Sequence, residues 1–234
     1  MTRQHRQMPM PMSLPADHAR ESFIAAPCNA QALATLGADH WSGAHWPAGK
    51  LVLTGPEGSG KTHLLHIWAN ATGARLLEAR DLTGADLEAL VKSGAVALDD
   101  ADALATDPAL ETAAFHLHNL LAERGGRLLL AARAPVRDWG LRLPDLLSRL
   151  QAAQHVVLKA PDDALLAGVL EKLFADRQVR IPDQLIPFLL PRMERSLAVA
   201  QSLVAQLDAE SLARKCAISR RLAADILQVS QDKD

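Results

Sequence analysis

A chain of 234 residues, 49% of them hydrophobic, can bury one sizeable core, or one core with a small appendage. No apolar run approaches the roughly 18 to 20 residues of a membrane span, and the start carries no signal-peptide core, so a soluble, cytoplasmic protein with no membrane partner is expected. A formal charge of -2 and an aromatic content of 3%, with no tyrosine, exclude a chain that grips nucleic acid with its whole surface and leave only a local basic patch open.

Residues 1–20 are rich in Met, Pro and Gln without helical or strand periodicity, and read as a flexible tail outside any core. Within it, Gln7-Met8-Pro9-Met10-Pro11-Met12 has two readings. It is a disordered leader, or it is a docking peptide in which the prolines favour an extended backbone, Met8, Met10 and Met12 fill apolar pockets and Gln7 is a polar anchor. Composition does not choose between them. From Ser22 to Ala48 the signals are weaker: Phe23, Leu33 and Leu36 are candidate core contacts, and His40 to Trp46 gathers two tryptophans and two histidines around Gly43. With no third ligand in view, the histidines read as loop residues rather than a metal site. Cys28 and Cys216 lie far apart without metal-ligand spacing, so they are expected to be reduced and structural.

Lys50-Leu51-Val52-Leu53-Thr54 is an apolar run of strand type, and His63 to Ala71 reads as a helix stopped by Gly73. Between them stands Gly55-Pro56-Glu57-Gly58-Ser59-Gly60-Lys61-Thr62, a G-x-x-x-x-G-K-T phosphate loop. Its glycines let successive backbone N–H groups curl around an anion, Lys61 supplies a point charge for the outer phosphates, and the Thr62 hydroxyl is a ligand for Mg²⁺. The following helix aims its N-terminus at the same phosphates. Strand, loop and helix are the context the motif requires, so nucleotide binding is expected.

Ala74 to Ala79 is a second strand candidate, and Leu82 to Lys92 a short helix beginning near Asp81 or Thr83. Ala95-Val96-Ala97-Leu98-Asp99-Asp100 is an apolar strand ending in two carboxylates, at the strand end where ligands sit in an open α/β sheet. There Asp99 is suited to hold Mg²⁺, directly or through water, and Asp100 to orient an attacking water. The plainer reading is a strand that ends in acids at a turn. Pro108 to Arg124 is a helix with Leu110, Ala114, Leu117 and Leu121 in one stripe, ended by Gly125-Gly126. His116 and His118 are two apart and so face different ways, which excludes a shared metal. Arg127 to Ala131 is a strand, Leu143 to Leu150 a helix with Pro144 near its start, and His155 to Leu158 a last strand.

This alternation predicts an α/β fold over residues 21–160, a parallel sheet with helices on both faces. Beyond Pro161 only helical segments remain: Asp162 to Asp176, Pro182 to Pro191, Arg195 to Arg214 and Ser219 to Gln228. Residues 161–234 therefore read as a small all-helical lid domain. Arg214, Lys215, Arg220 and Arg221 read as a solvated face in preference to a nucleic-acid site.

Taken together, these motifs resemble the P-loop NTPase (AAA+) module of the DnaA-type bacterial replication initiators. Phe23-Ile24-Ala25-Ala26-Pro27-Cys28-Asn29 is similar to that family's F-x-x-G-P-x-N segment at the base pocket, with Ala26 where Gly is usual, which implies nucleotide contacts for Pro27 and Asn29. Leu143 to Leu150 is similar to the segment that carries the family's arginine finger, here Arg149. Two features narrow the resemblance to the Hda family of DnaA-related regulatory inactivators, in its HdaA form. No DNA-binding domain is expected after the lid, and Gln7 to Met12 is similar to that family's sliding-clamp-binding peptide, with Met where Leu is usual.

The resemblance implies a regulator of replication initiation that binds ADP or ATP with Mg²⁺. It would dock through Gln7, Met8, Met10 and Met12 on the DNA polymerase III sliding clamp (beta subunit), meet DNA only indirectly through the clamp, and stimulate ATP hydrolysis by DnaA with Arg149 acting in trans. Ala131-Ala132-Arg133 departs from the polar sensor the family usually carries beside the P-loop strand. Ala198 matches the lid's sensor arginine, with Arg195 one turn earlier as a substitute. Weak intrinsic ATPase activity at most is therefore expected. The resident nucleotide and a homo-oligomeric state stay open, as do two other readings: a small-molecule P-loop kinase, and a DnaA-like or helicase-loader-like DNA-binding ATPase.

Overall fold

A computed structural model describes residues 23–36 and 46–231, with side chains through residue 227. The docking-peptide residues Gln7, Met8, Met10 and Met12, and most of the His40 to Trp46 cluster, lie outside the described residues.

Short runs of apolar residues make the five strands: β1 (Lys50–Thr54), β2 (Arg75–Glu78), β3 (Ala95–Asp99), β4 (Arg127–Ala132) and β5 (Gln154–Val157). They form one parallel sheet in the order β2-β3-β4-β1-β5. Side chains alternate across it with period two. Val52, Val96, Leu98, Leu128, Leu130 and Ala132 enter one core, and Leu51, Leu53, Ala95, Ala97, Leu129 and Ala131 enter the other. Both faces are covered, which is why β1, β3 and β4 are apolar at almost every position.

The helices on these faces are α1 (Ala30–Leu36), α2 (Lys61–Thr72), α3 (Leu87–Val91), α4 (Pro108–Glu123) and α5 (Pro144–Gln151). In α1 and α2, Leu36, Leu64, Leu65 and Trp68 pack on one face; Leu110, Leu117 and Leu121 of α4 and Leu146 and Leu150 of α5 pack on the other. Trp46 stacks on Trp68 with ring centroids 5.5 Å apart and donates its indole N–H to Thr35 O at 2.8 Å, so it is a core residue.

The expected helix from Leu82 to Lys92 is not continuous. Ala79–Gly84 forms a 3-10 turn, and only Leu87–Val91 is α-helical, begun afresh by Asp86, whose carboxylate accepts from Ala89 N at 3.1 Å. A capping aspartate within the segment favours a new helix start over continuation. The expected helix from Pro182 to Pro191 likewise contracts to α7 (Leu185–Leu189) with a 3-10 turn at Leu190–Arg192. Pro187 and Pro191 have no N–H to give a longer helical ladder.

After β5, α6 (Asp163–Asp176), α7, α8 (Leu197–Arg214) and α9 (Arg220–Gln231) enclose a third core of Leu166, Leu170, Phe174, Leu185, Leu189 and others. Asp162 caps α6 through Leu165 N at 2.8 Å, and Ser196 caps α8 through Val199 N at 3.3 Å. Among the described residues, no helix is long and apolar enough to cross a membrane.

Candidate nucleotide-binding site

The loop Gly55 to Thr62 joins the buried strand β1 to α2, and its shape depends on glycine. Gly58 and Gly60 have φ of 69° and 99°, a region L side chains rarely adopt. The loop closes on itself: Lys61 Nζ donates to Gly55 O and Pro56 O, each at 2.8 Å. Burial lowers the Lys61 pKa from its ordinary value, and Asp99 acts against that shift while Arg133 adds to it.

The two groups expected to share Mg²⁺ meet directly: Thr62 Oγ1 donates to Asp99 Oδ2 at 2.6 Å. A hydroxyl and a carboxylate at this separation, beside the lysine, form an oxygen donor set that suits Mg²⁺. Mg²⁺ would be held there by Thr62 and Asp99 together with phosphate and water oxygens. Asp100 follows in a left-handed conformation, φ 47°, with its N–H on Asp99 Oδ1 at 3.0 Å and its carboxylate 4.0 Å from Arg80.

Pro27 and Asn29 lie in a turn leading into α1. Asn29 is 3% exposed; its Oδ1 accepts from Ala26 N at 2.8 Å and its Nδ2 donates to Ile24 O at 2.9 Å. The asparagine therefore fixes the shape of this segment. Phe23 packs edge-on against His63 of α2 at 5.4 Å, and a Cβ at Gly168 of α6 would lie 3.5 Å from Ile24 Cδ1, so the segment bridges α2 and α6.

From the other side, the start of α8 sits on the loop. Leu197 N donates to Gly58 O at 2.8 Å, and a Cβ at Gly58 would collide with Ser196 Oγ. Arg195 pairs with Asp163 at 3.1 Å, and Ala198 is exposed. Ala131 and Ala132 are fully buried in β4. The residue after them, Arg133, reaches Glu57 in the loop with Nη1 to Oε2 at 3.0 Å. This contact and the Ser196–Gly58 contact escaped the sequence reading. Neither has a signal in the local sequence, because both depend on which strand or helix lies beside β1.

Arg149 stands elsewhere. It is exposed in the last turn of α5, its guanidinium 5.1 Å from the Phe115 ring of α4. α5 returns the chain from the end of β4 toward the start of β5, and Arg149 acts electrostatically on His118, as does Lys50 at the first position of β1. The arginine therefore lies toward the strand N-termini, whereas Lys61 and Thr62 follow the C-terminal end of β1. Glu111 of α4 was also missed. It is 2% exposed, and its Oε2 accepts from Arg142 N at 2.9 Å and Leu143 N at 2.7 Å, anchoring the start of α5.

No protein-family profile matches the chain. Solved structures match it closely in shape and weakly in sequence. Domain III of the Thermotoga maritima replication initiation protein DnaA is 18% identical with a TM-score of 0.77, over 92% of this chain and 97% of that one. AMPPCP-bound DnaA from Aquifex aeolicus is 20% identical with a TM-score of 0.69, over 87% and 69%. The Thermotoga maritima RuvB Holliday junction branch migration motor is 19% identical with a TM-score of 0.65, over 91% and 72%. The fold is thus the AAA+ fold of DnaA domain III and RuvB, a parallel sheet followed by a helical bundle.

Proposed function

We propose that this chain is an adenine-nucleotide-binding regulator of replication initiation. It docks on the DNA polymerase sliding clamp through Gln7 to Met12 and stimulates ATP hydrolysis by DnaA with Arg149. Nucleotide binding is supported by the glycine-shaped loop, the Lys61 ammonium and the Thr62–Asp99 pair, which together match what a triphosphate with Mg²⁺ needs. Adenine is supported by the likeness to the AMPPCP-bound DnaA.

The observation that carries the regulatory reading is the position of Arg149, exposed and set toward the opposite end of the sheet from the chain's own phosphate loop. A guanidinium there serves a phosphate on another molecule, where it stabilises the charge that spreads over a transferring phosphoryl group. The partner is DnaA, whose nucleotide domain has the same fold. The chain's own turnover is slow, since Ala131, Ala132 and Ala198 have no polar group to orient water or touch a terminal phosphate.

The test combines purified chain, clamp and ATP-bound DnaA. Wild type accelerates release of phosphate from DnaA only with the clamp present. Arg149→Ala still binds clamp and nucleotide but loses the stimulation, a loss on the order of 10³-fold or more for an arginine finger. Gln7→Ala loses clamp binding. Stimulation retained by Arg149→Ala removes that residue from the mechanism, and equal clamp binding by Gln7→Ala removes the tail.

A further inference from the structure

The two edges of the sheet are built differently. β2 closes one side with Arg75 and Glu78, both exposed, and charged side chains on an edge strand oppose pairing with another chain. β5 closes the other with Gln154, His155, Val156 and Val157, which include no acid, lysine, arginine or proline. The β1–β5 register sets Thr54 opposite Val157, and Leu158 N donates to Thr54 O at 2.7 Å, so Val156 and Leu158 turn their backbone groups to β1. His155 and Val157 turn theirs outward. Among the described residues, nothing accepts from His155 N or Val157 N or donates to Val157 O, and His155 O accepts from Gln154 Nε2 at 3.3 Å.

Val156 and Leu158 share a core with α1 and α2, so alternation puts His155, Val157 and Lys159 on the α5 face. His155 Nε2 lies 3.0 Å from Leu150 O of α5. Val157 is 57% exposed, one of two large apolar side chains so exposed among the described residues. Beside His155 a hollow of about 300 Å³ opens among Pro135, Val136, Arg137 and Gln151. Arg137 is the charged residue of that lining, and its contact with Asp138 at 3.6 Å is open to water and weak. At the other end of the row Lys159 is also exposed. An open row of main-chain donors and acceptors takes an extended segment, and the side chains beside it select which one. Here an apolar side chain lies between two cations. A second copy of this chain brings the same cations to the joint, whereas carboxylates complement them.

We propose that the outer edge of β5 is a docking site for an extended acidic segment of another protein, which pairs with His155 and Val157 as a further strand of the sheet. On the α5 face that segment carries a carboxylate, an apolar residue and a carboxylate at alternate positions, set against Arg137, Val157 and Lys159. The site uses none of the residues assigned to nucleotide, clamp or phosphoryl transfer, and it stands independently of those readings.

The test titrates the isotope-labelled full chain with an acetylated Thr-Glu-Thr-Val-Thr-Glu-Thr amide. Without peptide, the His155 and Val157 amides are expected to exchange with solvent about tenfold faster, or more, than those of Val156 and Leu158. With peptide they become protected, and binding saturates below about 1 mM. Val157→Pro removes an N–H that β1 does not use, and is expected to weaken the peptide about fivefold, the loss of one main-chain bond, with the β1 amide signals unchanged. Arg137→Glu weakens it about two- to fivefold and binds better the peptide with Lys in place of Glu. No saturable binding, full binding retained by Val157→Pro, or equal binding of a peptide methylated at every backbone N–H overturns the inference. So does protection of His155 and Val157 before peptide is added. Protection that fades on dilution assigns the edge to a second copy of this chain, and protection that persists assigns it to another part of the same chain.

Discussion

His118 of α4 is 5% exposed and its Nδ1 has no hydrogen-bond partner. Burial, with Lys50 and Arg149 adding to it, lowers its pKa from 6.5 to about 4. The folded protein therefore keeps this imidazole neutral where an unfolded chain would protonate it. As pH falls below 6.5 the unfolded state takes up the proton first, and stability drops until both states are protonated below about 4. The loss at pH 5 is about 2 kcal/mol by this linkage. Urea unfolding at pH 7 and pH 5 should show that His118→Gln reduces the difference between the two; an unchanged difference would assign the acid sensitivity to other groups. Lys50 has its own window at higher pH. It is 1% exposed, donates to Gly126 O at 2.9 Å, and burial brings its pKa to about 8, so stability rises between pH 8 and 10.5.

Among the elements, α5 shows most clearly how packing serves the arginine. Leu143 supplies no side-chain cap, and the helix start is held instead by the Glu111 carboxylate across the α4–α5 contact. Glu111→Ala leaves two N–H groups without that acceptor and is expected to cost about 2 kcal/mol in chemical denaturation. Glu111→Gln, which keeps an acceptor oxygen, should cost less; equal costs would show that the bonds to Arg142 and Leu143 are not what matters. Nothing in the local sequence announces this cap, because the two partners come together only in the folded chain. The strands were legible for the opposite reason. Burial on both faces forces β1, β3 and β4 to be continuous apolar runs, and glycine and proline mark the helix ends at Gly73, Pro108 and Pro144. The broken helix after β2 was not legible, since propensity alone does not say that Asp86 will start a new helix. In the candidate site, Lys61, Thr62 and Asp99 could be read from spacing, whereas Arg133 needed the strand order.

For the whole molecule, one joint between the sheet and the helical bundle is made at the phosphate loop itself. Leu197 N bonds to Gly58 O, and Ser196 fills the space over Gly58. Gly58→Ala adds a methyl group at φ 69° against Ser196. It should destabilise the chain by about 1–3 kcal/mol and speed amide exchange at the start of α8. Unchanged exchange at Leu197 would show that the loop does not hold the bundle. The strand order has a separate consequence, for the sequence of events during synthesis. β1 emerges from the ribosome well before the strands that flank it, since its neighbours are β4 and β5. Until Ala132 has been made, the strand that carries the phosphate loop is an apolar segment with both edges unpaired, and one edge stays open until Val157 follows. Contacts between segments so distant in the chain form slowly. The loop read first along the sequence is therefore among the last parts of the domain to be completed, and a nascent chain acquires its phosphate site only when the sheet closes around it.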